Sequence, residues 1–427
     1  MAAFPILVSC APGPAASGAP APFESARPVR DRKPLVVTVG QGQGDLQGRD
    51  HRVIQAAIDY VDRLGGGVVQ VLPGTYVLDN ALFPRPGTVL RGAGEATVLK
   101  KGPMAATTVA READWFEYAL QVADSAGFAP GCGIGLTDKE DKPPLVMFYT
   151  VTAVEGNVLH LDRRTEKNHW PLNEARVRKL HSLIYGWNAS DVTVESLVLD
   201  GDRERNDNID DNFGACVFLQ SCDRWTFRNV QARNFNGDGF SFQVCNDVHF
   251  FDCQSVNNAD LGFHPGSGSQ RPVFRNCLST GNREGLFFCW GACDGIAENC
   301  RLTNNAWYGV NFGHRDTDNV IRNCLIEGNG KVGVIFRKEV NEFRTGDRNV
   351  IEGCTIRNNG GKDEGVGVDV QWKTRDVTVR NCTFENTDGA KARVGMRISP
   401  EAGRVTLENN TYTGFATDVE RAPTPTP

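Results

Sequence analysis

From about residue 214 onward, short stretches of alternating apolar and polar residues each follow a glycine. These glycines are Gly214, Gly239, Gly262, Gly285, Gly309, Gly333, Gly367 and Gly395. They recur at intervals of 23 to 34 residues. A period in the twenties, combined with the two-residue alternation of a β-strand, is typical of a solenoid in which each repeat forms one coil.

Each repeat contains a second short strand that ends at a cysteine and is followed by an asparagine. The cysteines are Cys253, Cys277, Cys300, Cys324, Cys354 and Cys382. The asparagines are Asn258, Asn282, Asn305, Asn329, Asn359 and Asn386. Because equivalent positions of stacked coils lie about 4.8 Å apart, we predict a column of buried thiols and a column of hydrogen-bonded amides. Paired CxxC motifs of a zinc site are absent from the sequence, so we interpret the cysteines as structural.

The N-terminal region carries other motifs. Residues 53–60 have the pattern of an amphipathic helix, and three glycines at 65–67 then open a strand. Leu-Pro-Gly-Thr-Tyr follows at 72–76 and Leu-Arg-Gly-Ala-Gly at 90–94. In this order, and with the repeats, these motifs resemble the pectate-lyase-like superfamily, which includes polygalacturonases, polysaccharide lyases and mannuronan epimerases. The resemblance implies an all-β fold, a right-handed parallel β-helix (solenoid) with an N-terminal capping helix over its open end.

Residues 148–162 interrupt the repeats with two strand patterns around Gly156 and Asn157, which predicts a hairpin inside a small β-rich insertion. We therefore expect five segments along the chain. They are an export leader and linker at 1–30, the cap and first coils at 31–102, the insertion at 103–188, the coils that carry the site at 189–415, and a disordered tail at 416–427.

The N-terminus joins a short apolar stretch, residues 4–8, to the run Leu-Val-Ser-Cys that ends at Cys10. This run resembles a bacterial lipobox, whose cysteine is lipidated, although the basic region of a full signal is missing. We expect an exported protein that is periplasmic, extracellular, or anchored to the outer membrane through Cys10. The alternative is a disordered leader with a chance cysteine.

Composition narrows the choice of partners. The formal net charge is −6, and lysine and arginine are scattered singly, whereas nucleic-acid binding requires a clustered basic face. The sequence has no apolar run long enough to cross a bilayer. We therefore expect a monomer that binds a polysaccharide and not nucleic acid, and that meets a membrane only through a lipid anchor.

Strand alternation divides the residues after each glycine between two faces. The residues one and three positions after the glycine are apolar, as at Phe240 and Phe242, and must point inward. Those two and four positions after it point outward. At residues 236–243, 262–272 and 313–319 this outer face is rich in acids and bases, and tryptophans lie nearby. Such a mixture suits sugars, whose hydroxyls pair with polar groups and whose ring faces stack on aromatic side chains.

The outer face supplies the candidate site. The candidate catalytic residues are His264, Asp238, Glu284, His314 and Arg337. The candidate substrate-binding residues are Ser241, Gln243, Arg271, Trp290, Asn311, Arg315, Asp316, Asp318, Asp369, Trp372 and Arg397. Residues 262–266, Gly-Phe-His-Pro-Gly, are similar in frame to the Gly-Phe-Asp-Pro-His run of mannuronan epimerases, with shifted chemistry. The polygalacturonase motifs do not match in frame.

Three functions fit these residues. In a lyase or epimerase of an acidic polysaccharide, which we favour, His264 takes a proton beside a uronate carboxylate, Arg337 and Arg397 neutralise the enolate, and His314 is a second acid or base. In an inverting glycoside hydrolase, Asp238 and Glu284, two coils apart, are acid and base. In an adhesive solenoid the face binds glycan without chemistry.

Other interpretations of the same residues are structural. His314, Asp316 and Asp318 can close a turn through side-chain hydrogen bonds, and Arg337 and Arg397 can be solvated strand residues. We predict no metal site and no cofactor. The carboxylates of this face would suit Ca²⁺, but their spacing does not single out a site.

Overall fold

The computed structural model describes residues 35–139, 146–209, 214–361, 365–389 and 393–421. Over these residues the chain winds into coils whose strands pair in parallel with the equivalent strands of neighbouring coils. This architecture is the predicted parallel β-helix. The leader and Cys10 lie outside the described residues, and no described helix is long and apolar enough to span a bilayer.

One strand of each coil joins a ten-stranded parallel sheet whose order follows the sequence within the described residues. Its strands are Ile184–Trp187, Ala215–Gln220, Asp238–Gln243, Leu261–Gly266, Glu284–Phe287, Tyr308–Phe312, Val332–Phe336, Val366–Val370, Val394–Ile398 and Thr417–Arg421. We call this the ten-stranded sheet. It contains every repeat glycine from Gly239 onward and the candidate residues Asp238, Ser241, His264, Glu284 and Asn311.

The other strands of the coils form two further parallel ladders that merge in long strands of the early coils. The second ladder contains Val36–Gly40, Gly67–Val71, Thr88–Arg91, Ser190–Asp200, Asp223–Arg233, His249–Phe251, Val273–Arg275, Ile296–Glu298, Val320–Arg322, Val350–Glu352, Val377–Arg380 and Val405–Glu408. The third contains Gly74–Leu78, Thr97–Lys101, Gln254–Val256, Leu278–Thr280, Arg301–Thr303, Leu325–Glu327, Thr355–Arg357, Thr383–Glu385 and Thr411–Thr413. The short strand Leu46–Gln47 pairs with Val36–Gly40. Short 3-10 turns lie at Gly94–Ala96, Pro171–Asn173, Arg203–Arg205 and Glu342–Arg344.

The core fills the inside of the coils. The predicted inward residues are all buried in one continuous cluster, from Phe240 and Phe242 to Met396 and Ile398. Rings stack from coil to coil, as Phe250 does on Phe274 with their centroids 5.1 Å apart. These contacts confirm the inward half of the predicted alternation.

The repeat glycines are required by close packing at the start of each strand. A Cβ atom on Gly262 would overlap the Oγ of Ser279, and one on Gly239 would overlap the Oγ of Ser255. Both serines donate hydrogen bonds to a backbone carbonyl at this corner, at Gly285 and Gly262 respectively. From Gly239 to Gly367, a Cβ atom on each repeat glycine would also lie within 2.8 Å of the carbonyl oxygen of the next repeat glycine, which explains the periodic glycine.

The asparagine column forms a continuous chain of hydrogen bonds. The backbone N–H of Asn282 donates to Oδ1 of Asn305 at 3.2 Å, that of Asn305 to Asn329 at 3.1 Å, and that of Asn329 to Asn359 at 3.1 Å. The side-chain amides donate to carbonyls of the preceding coil, as Asn329 does to Leu302 at 2.9 Å. The six cysteines of the other column are buried free thiols, as predicted.

The predicted N-terminal helix is present as His51–Arg63. The side chain of Asp50 accepts a hydrogen bond from the N–H of Arg52 and caps the helix. Its apolar face packs on Val36–Gly40 and Gly67–Val71, the first two strands of the second ladder. The helix therefore shields the N-terminal edge of the coils from further strand pairing.

The insertion is a separate six-stranded antiparallel sheet with its own buried core. Its strands are Ala106–Thr108, Ala119–Gln121, Gly133–Thr137, Met147–Glu155, Val158–Leu161 and Arg176–Arg178. The predicted hairpin is formed by Met147–Glu155 and Val158–Leu161. Ile184–Trp187, which we had placed in the insertion, belongs to the ten-stranded sheet because its backbone pairs with the next coil.

The prediction of a disordered tail at 416–427 is wrong for residues 417–421. Thr417–Arg421 forms the last strand and pairs with Val394–Ile398. An ion pair of 2.8 Å between Glu420 and Arg397 joins the two strands on the outer face. Residues 422–427 lie outside the described part of the chain.

Replacing Asn329 with alanine tests the asparagine column. The side chain is buried, and its loss leaves the N–H of Asn305 and the carbonyl of Leu302 without these bonds. Since a buried unsatisfied group costs about 1–3 kcal/mol, we expect a loss of about 2 kcal/mol or more in the free energy of unfolding, measured by urea denaturation. Gln121→Ala, which removes an exposed carboxamide at the end of Ala119–Gln121, should cost less than about 0.5 kcal/mol. Equal losses in both variants would contradict the role of the column.

Candidate functional site

The outer face of the ten-stranded sheet carries one column of side chains in register. Backbone pairing aligns Tyr185 with Phe218, Phe218 with Ser241, and Ser241 with His264. Further along, Phe287 is aligned with Asn311, and Asp369 with Arg397. We call these residues the outer column. The register brings together candidate residues that lie more than 20 positions apart in the sequence.

His264 is the centre of a buried polar cluster. Its Nδ1 lies 2.8 Å from Oδ2 of Asp238 and 3.3 Å from Oγ of Ser241. The other oxygen of Asp238 accepts the N–H of Leu261 at 2.9 Å, and the amide of Gln243 donates to Ser241 at 3.2 Å. Four predicted site residues therefore lie in one hydrogen-bonded group.

The geometry of this cluster fixes the tautomer of His264. A carboxylate only accepts hydrogen bonds, so Nδ1 carries the proton toward Asp238, and the lone pair of a neutral ring is on Nε2. Ser241 contacts the same nitrogen as Asp238, which differs from a Ser-His-Asp triad, where serine and aspartate contact opposite nitrogens. In this arrangement Asp238 fixes the orientation of the His264 ring.

A second cluster is built around Arg337. Its guanidinium donates to Oδ1 of Asn311 at 2.6 Å and to Oε1 of Glu339 at 3.0 Å. Asn311 in turn donates to Oε2 of Glu284 at 2.8 Å. Burial raises the pKa of Glu284, while this hydrogen bond and the charges of Arg283, Arg337 and His264 act in the opposite direction. Arg337 is therefore a fixed cation and not a solvated strand residue.

His314 belongs to the same cluster. Its Nδ1 accepts a hydrogen bond of 2.6 Å from Arg337, its Nε2 lies 3.4 Å from Glu339, and its ring stacks on Trp290 with centroids 4.6 Å apart. Burial lowers the pKa of His314, the charge of Arg337 lowers it further, and Glu339 opposes both. The imidazole is therefore held neutral at the edge of the site, with 24% of its side chain exposed.

The two clusters meet at Phe287, a residue of the outer column that sequence reasoning treated only as an outward position. Its ring packs edge-on against His264, with centroids 5.3 Å apart, and the guanidinium carbon of Arg337 lies 4.8 Å from its centroid. Glu339 was also missed as a site residue, because it lies beyond the end of its strand, where alternation makes no prediction.

Other candidates have structural roles. Asp316 is fully buried and accepts the N–H groups of Gly291, Ala292 and Gly313, and burial raises its pKa to about 7. Asp318 and Arg271 form two-point ion pairs with Arg348 and Asp247, between turns of adjacent coils. Asp316 thus closes its turn, whereas Asp318 and Arg271 join neighbouring coils, and the assignment of all three to substrate binding stays a prediction. Arg315 is exposed on the same turn.

Asp369, Trp372 and Arg397 lie further along the sheet, around an open recess of about 340 Å³. Burial raises the pKa of Asp369, and a hydrogen bond from Gln371 opposes this. Arg397 pairs with Glu420. These residues share the outer face of the ten-stranded sheet with the two clusters.

Exposure differs sharply across the face. His264 is 1% exposed, and Ser241, Gln243 and Asn311, which alternation also places outward, are buried, as is Glu284 before its glycine. The ring of Phe287, on the adjacent strand, packs against His264. Across the described ranges, no group of three or more His, Cys, Asp and Glu side chains is arranged to hold a metal ion.

Comparison with known proteins identifies the family. The model of the family described as "Right handed beta helix region" matches residues 196–345 and 341–417, which is more than half of the chain. The chain belongs to this right-handed β-helix family. A comparison with curated protein sequences gives no match.

Several solved structures share the fold. The A-module of the mannuronan C-5 epimerase AlgE4 of Azotobacter vinelandii is 17% identical, with a TM-score of 0.55 over 91% of this chain and 98% of that chain. ORF18 of Geobacillus virus E2 is 14% identical, with a TM-score of 0.54 over 90% of this chain and 62% of that chain. The surface adhesin PfbA of Streptococcus pneumoniae is 12% identical, with a TM-score of 0.51 over 90% and 93%. At these identities the likeness concerns the right-handed β-helix fold alone.

Replacing Arg337 with glutamine tests the electrostatics of the Arg337 cluster. The charge of Arg337 is a cause of the lowered pKa of His314, and Glu339 would then remain beside the ring. We expect the pKa of His314 to rise, as measured by NMR titration of the imidazole C–H signals. Arg348→Gln, which removes the partner of Asp318, should leave that pKa unchanged. An unchanged pKa in Arg337→Gln would show that the bond between Arg337 and His314 does not form in solution.

Proposed function

We propose that this β-helix acts on an acidic polysaccharide by removing the proton next to a uronate carboxylate, as a lyase or an epimerase. The observation that carries the proposal is the 2.8 Å contact between Asp238 and Nδ1 of His264, which leaves Nε2 as the basic atom. Asp238 has the role of a positioning residue. A relative in fold, the AlgE4 module, is named a mannuronan C-5 epimerase, and this supports the choice of substrate class.

In the proposed reaction, Nε2 of His264 takes the proton from the carbon that bears the carboxylate. The electron pair left on that carbon is delocalised into the carboxylate, and the cation of Arg337 stabilises the resulting negative charge. In an epimerase, a proton then returns to the opposite face of the carbon. In a lyase, the pair instead forms a double bond, and the glycosidic oxygen one carbon away leaves and is protonated.

Access to His264 sets a requirement on this mechanism. Phe287 packs against the imidazole edge-on and is itself partly exposed. The Phe287 ring has to shift when the polymer binds, so that the substrate contacts both Nε2 of His264 and the guanidinium of Arg337. His314, at the exposed edge, is then placed to act as the second acid or base.

The hydrolase alternative is less well supported by the site. Asp238 and Glu284 do occupy equivalent positions two coils apart, because Leu261 lies in register between them. However, Asp238 is fully buried and both of its oxygens accept hydrogen bonds within the protein. A general acid must instead present its proton to the glycosidic oxygen.

A second candidate function is glycan binding without chemistry. It is favoured by the burial of His264 and Glu284, which leaves Arg337, His314 and Trp290 as the groups that solvent reaches. The surface adhesin PfbA, a relative in fold, shows that the architecture also occurs in a protein named an adhesin.

Replacing His264 with alanine tests the proposed base. The wild-type protein is incubated in D₂O with mannuronan and with polygalacturonate, and deuterium at the acidic carbon is followed by NMR, together with ultraviolet absorbance of an unsaturated product. We expect the variant to lose at least about 100-fold of this activity, since a general base contributes about 10² to 10⁴. His249→Ala is the matched control, because His249 lies on the second ladder and should leave the rate unchanged.

The Asp238→Asn variant tests whether Asp238 orients His264 or itself contacts the substrate. An amide can donate to Nδ1 and so favours the wrong tautomer of His264, which should lower kcat with little change in KM and shift the acidic limb of the pH profile. If the wild-type protein binds these polymers but produces neither deuterium exchange nor an unsaturated product, the proton-abstraction function is wrong and glycan binding stands in its place.

A further inference from the structure

A recess of about 780 Å³ lies beside the first strands of the ten-stranded sheet, and it contains none of the residues discussed for catalysis. One side is formed by the coils, with Phe83, Tyr185, Trp187 and Phe218. The opposite side comes from the insertion, including Phe148 and Arg163. The recess therefore depends on both parts of the molecule.

The coil side of this recess is an aromatic platform. The rings of Tyr185 and Trp187 are nearly parallel, with an interplanar angle of 6° and centroids 6.4 Å apart, and Tyr185 stacks on Phe218 at 5.6 Å. Trp187 is 59% exposed, which is unusual for so large an apolar side chain. Flat, fixed aromatic rings bind the apolar C–H face of a sugar ring, and polar side chains at the border bind its hydroxyls.

The platform and the cluster around His264 belong to the same outer column. Tyr185, Phe218, Ser241 and His264 are successive members of the outer column. Three strand spacings separate Tyr185 from His264, which corresponds to roughly 14 Å. A single polymer lying along the coil axis can therefore contact the platform and the His264 cluster at the same time.

The charges around the recess suit an acidic chain. Arg85 and Arg163 line it together with one carboxylate, Glu166. Arg163 is held in place over the ring of Tyr149, with its guanidinium carbon 4.7 Å from the centroid. Arg163 pairs with Glu166 at 3.3 Å and Arg85 with Asp59 at 3.7 Å, but both arginine side chains are about half exposed, so a uronate carboxylate can reach them.

We propose that this recess is a second binding site for unreacted uronate residues of the same polysaccharide chain, with Trp187 as its main stacking residue. The inference rests on the proposed function in that the ligand is an acidic polysaccharide. It adds that the insertion and the first coils select long chains, because only a chain that extends from His264 to Trp187 gains these contacts.

The test measures binding and turnover of short and long fragments of mannuronan and polygalacturonate by the full-length protein and its Trp187→Ala variant. We expect affinity for long fragments to fall about tenfold, the loss of one stacking contact, with kcat and the affinity for the shortest fragments unchanged. Trp187→Phe should retain most of the affinity. Trp115→Ala is the matched control, because Trp115 is 56% exposed on the insertion and does not line the recess.

The outcomes separate the two proposals. Long-chain binding that is weakened in Trp187→Ala supports the second site even if the wild-type protein shows no proton abstraction. Proton abstraction with equal long-chain affinity in wild-type, Trp187→Ala and Trp115→Ala proteins overturns the second site and leaves the proposed function intact. Failure of the wild-type protein to bind either polymer overturns both.

Discussion

Backbone hydrogen bonds between successive coils are the constraint on which the rest of this protein depends. They fix the register of the ten-stranded sheet, and the register decides which distant residues become neighbours. His264 contacts Asp238 and Ser241 because their strands are adjacent in the stack. Arg337 reaches Asn311 for the same reason. The asparagine column reinforces the register by adding a bond at each corner.

Much of this arrangement could be predicted from sequence because each coil of a solenoid repeats the same short pattern of apolar and polar residues. The period located the coils, and alternation assigned Phe240 and Phe242 to the core and Ser241 and His264 to the outer column. Alternation does not show which neighbouring side chains cover an outward residue. His264 was therefore predicted to face solvent, whereas its neighbours in fact bury it. Residues beyond strand ends, such as Glu339, follow no period and were missed.

The aromatic recess was missed for a different reason. Tyr185 and Trp187 follow the insertion in the sequence, and no pattern in that stretch shows that the chain returns to the next coil there. The contact between the insertion and the coils is long-range and unrepeated. The turn residues Asp316 and Asp318 have the chemistry of ligand-binding groups, and no sequence pattern shows that their oxygens also bind backbone and arginine partners of adjacent coils.

The separate core of the six-stranded insertion has a consequence for how such a protein can diversify. Its buried residues pack on one another as a cluster distinct from that of the coils. Changes in its surface loops therefore do not disturb the stacking that aligns Asp238 with His264. The wall beside Trp187, which the insertion forms with Phe148 and Arg163, can therefore vary while the stacked strands that align Asp238 with His264 stay the same.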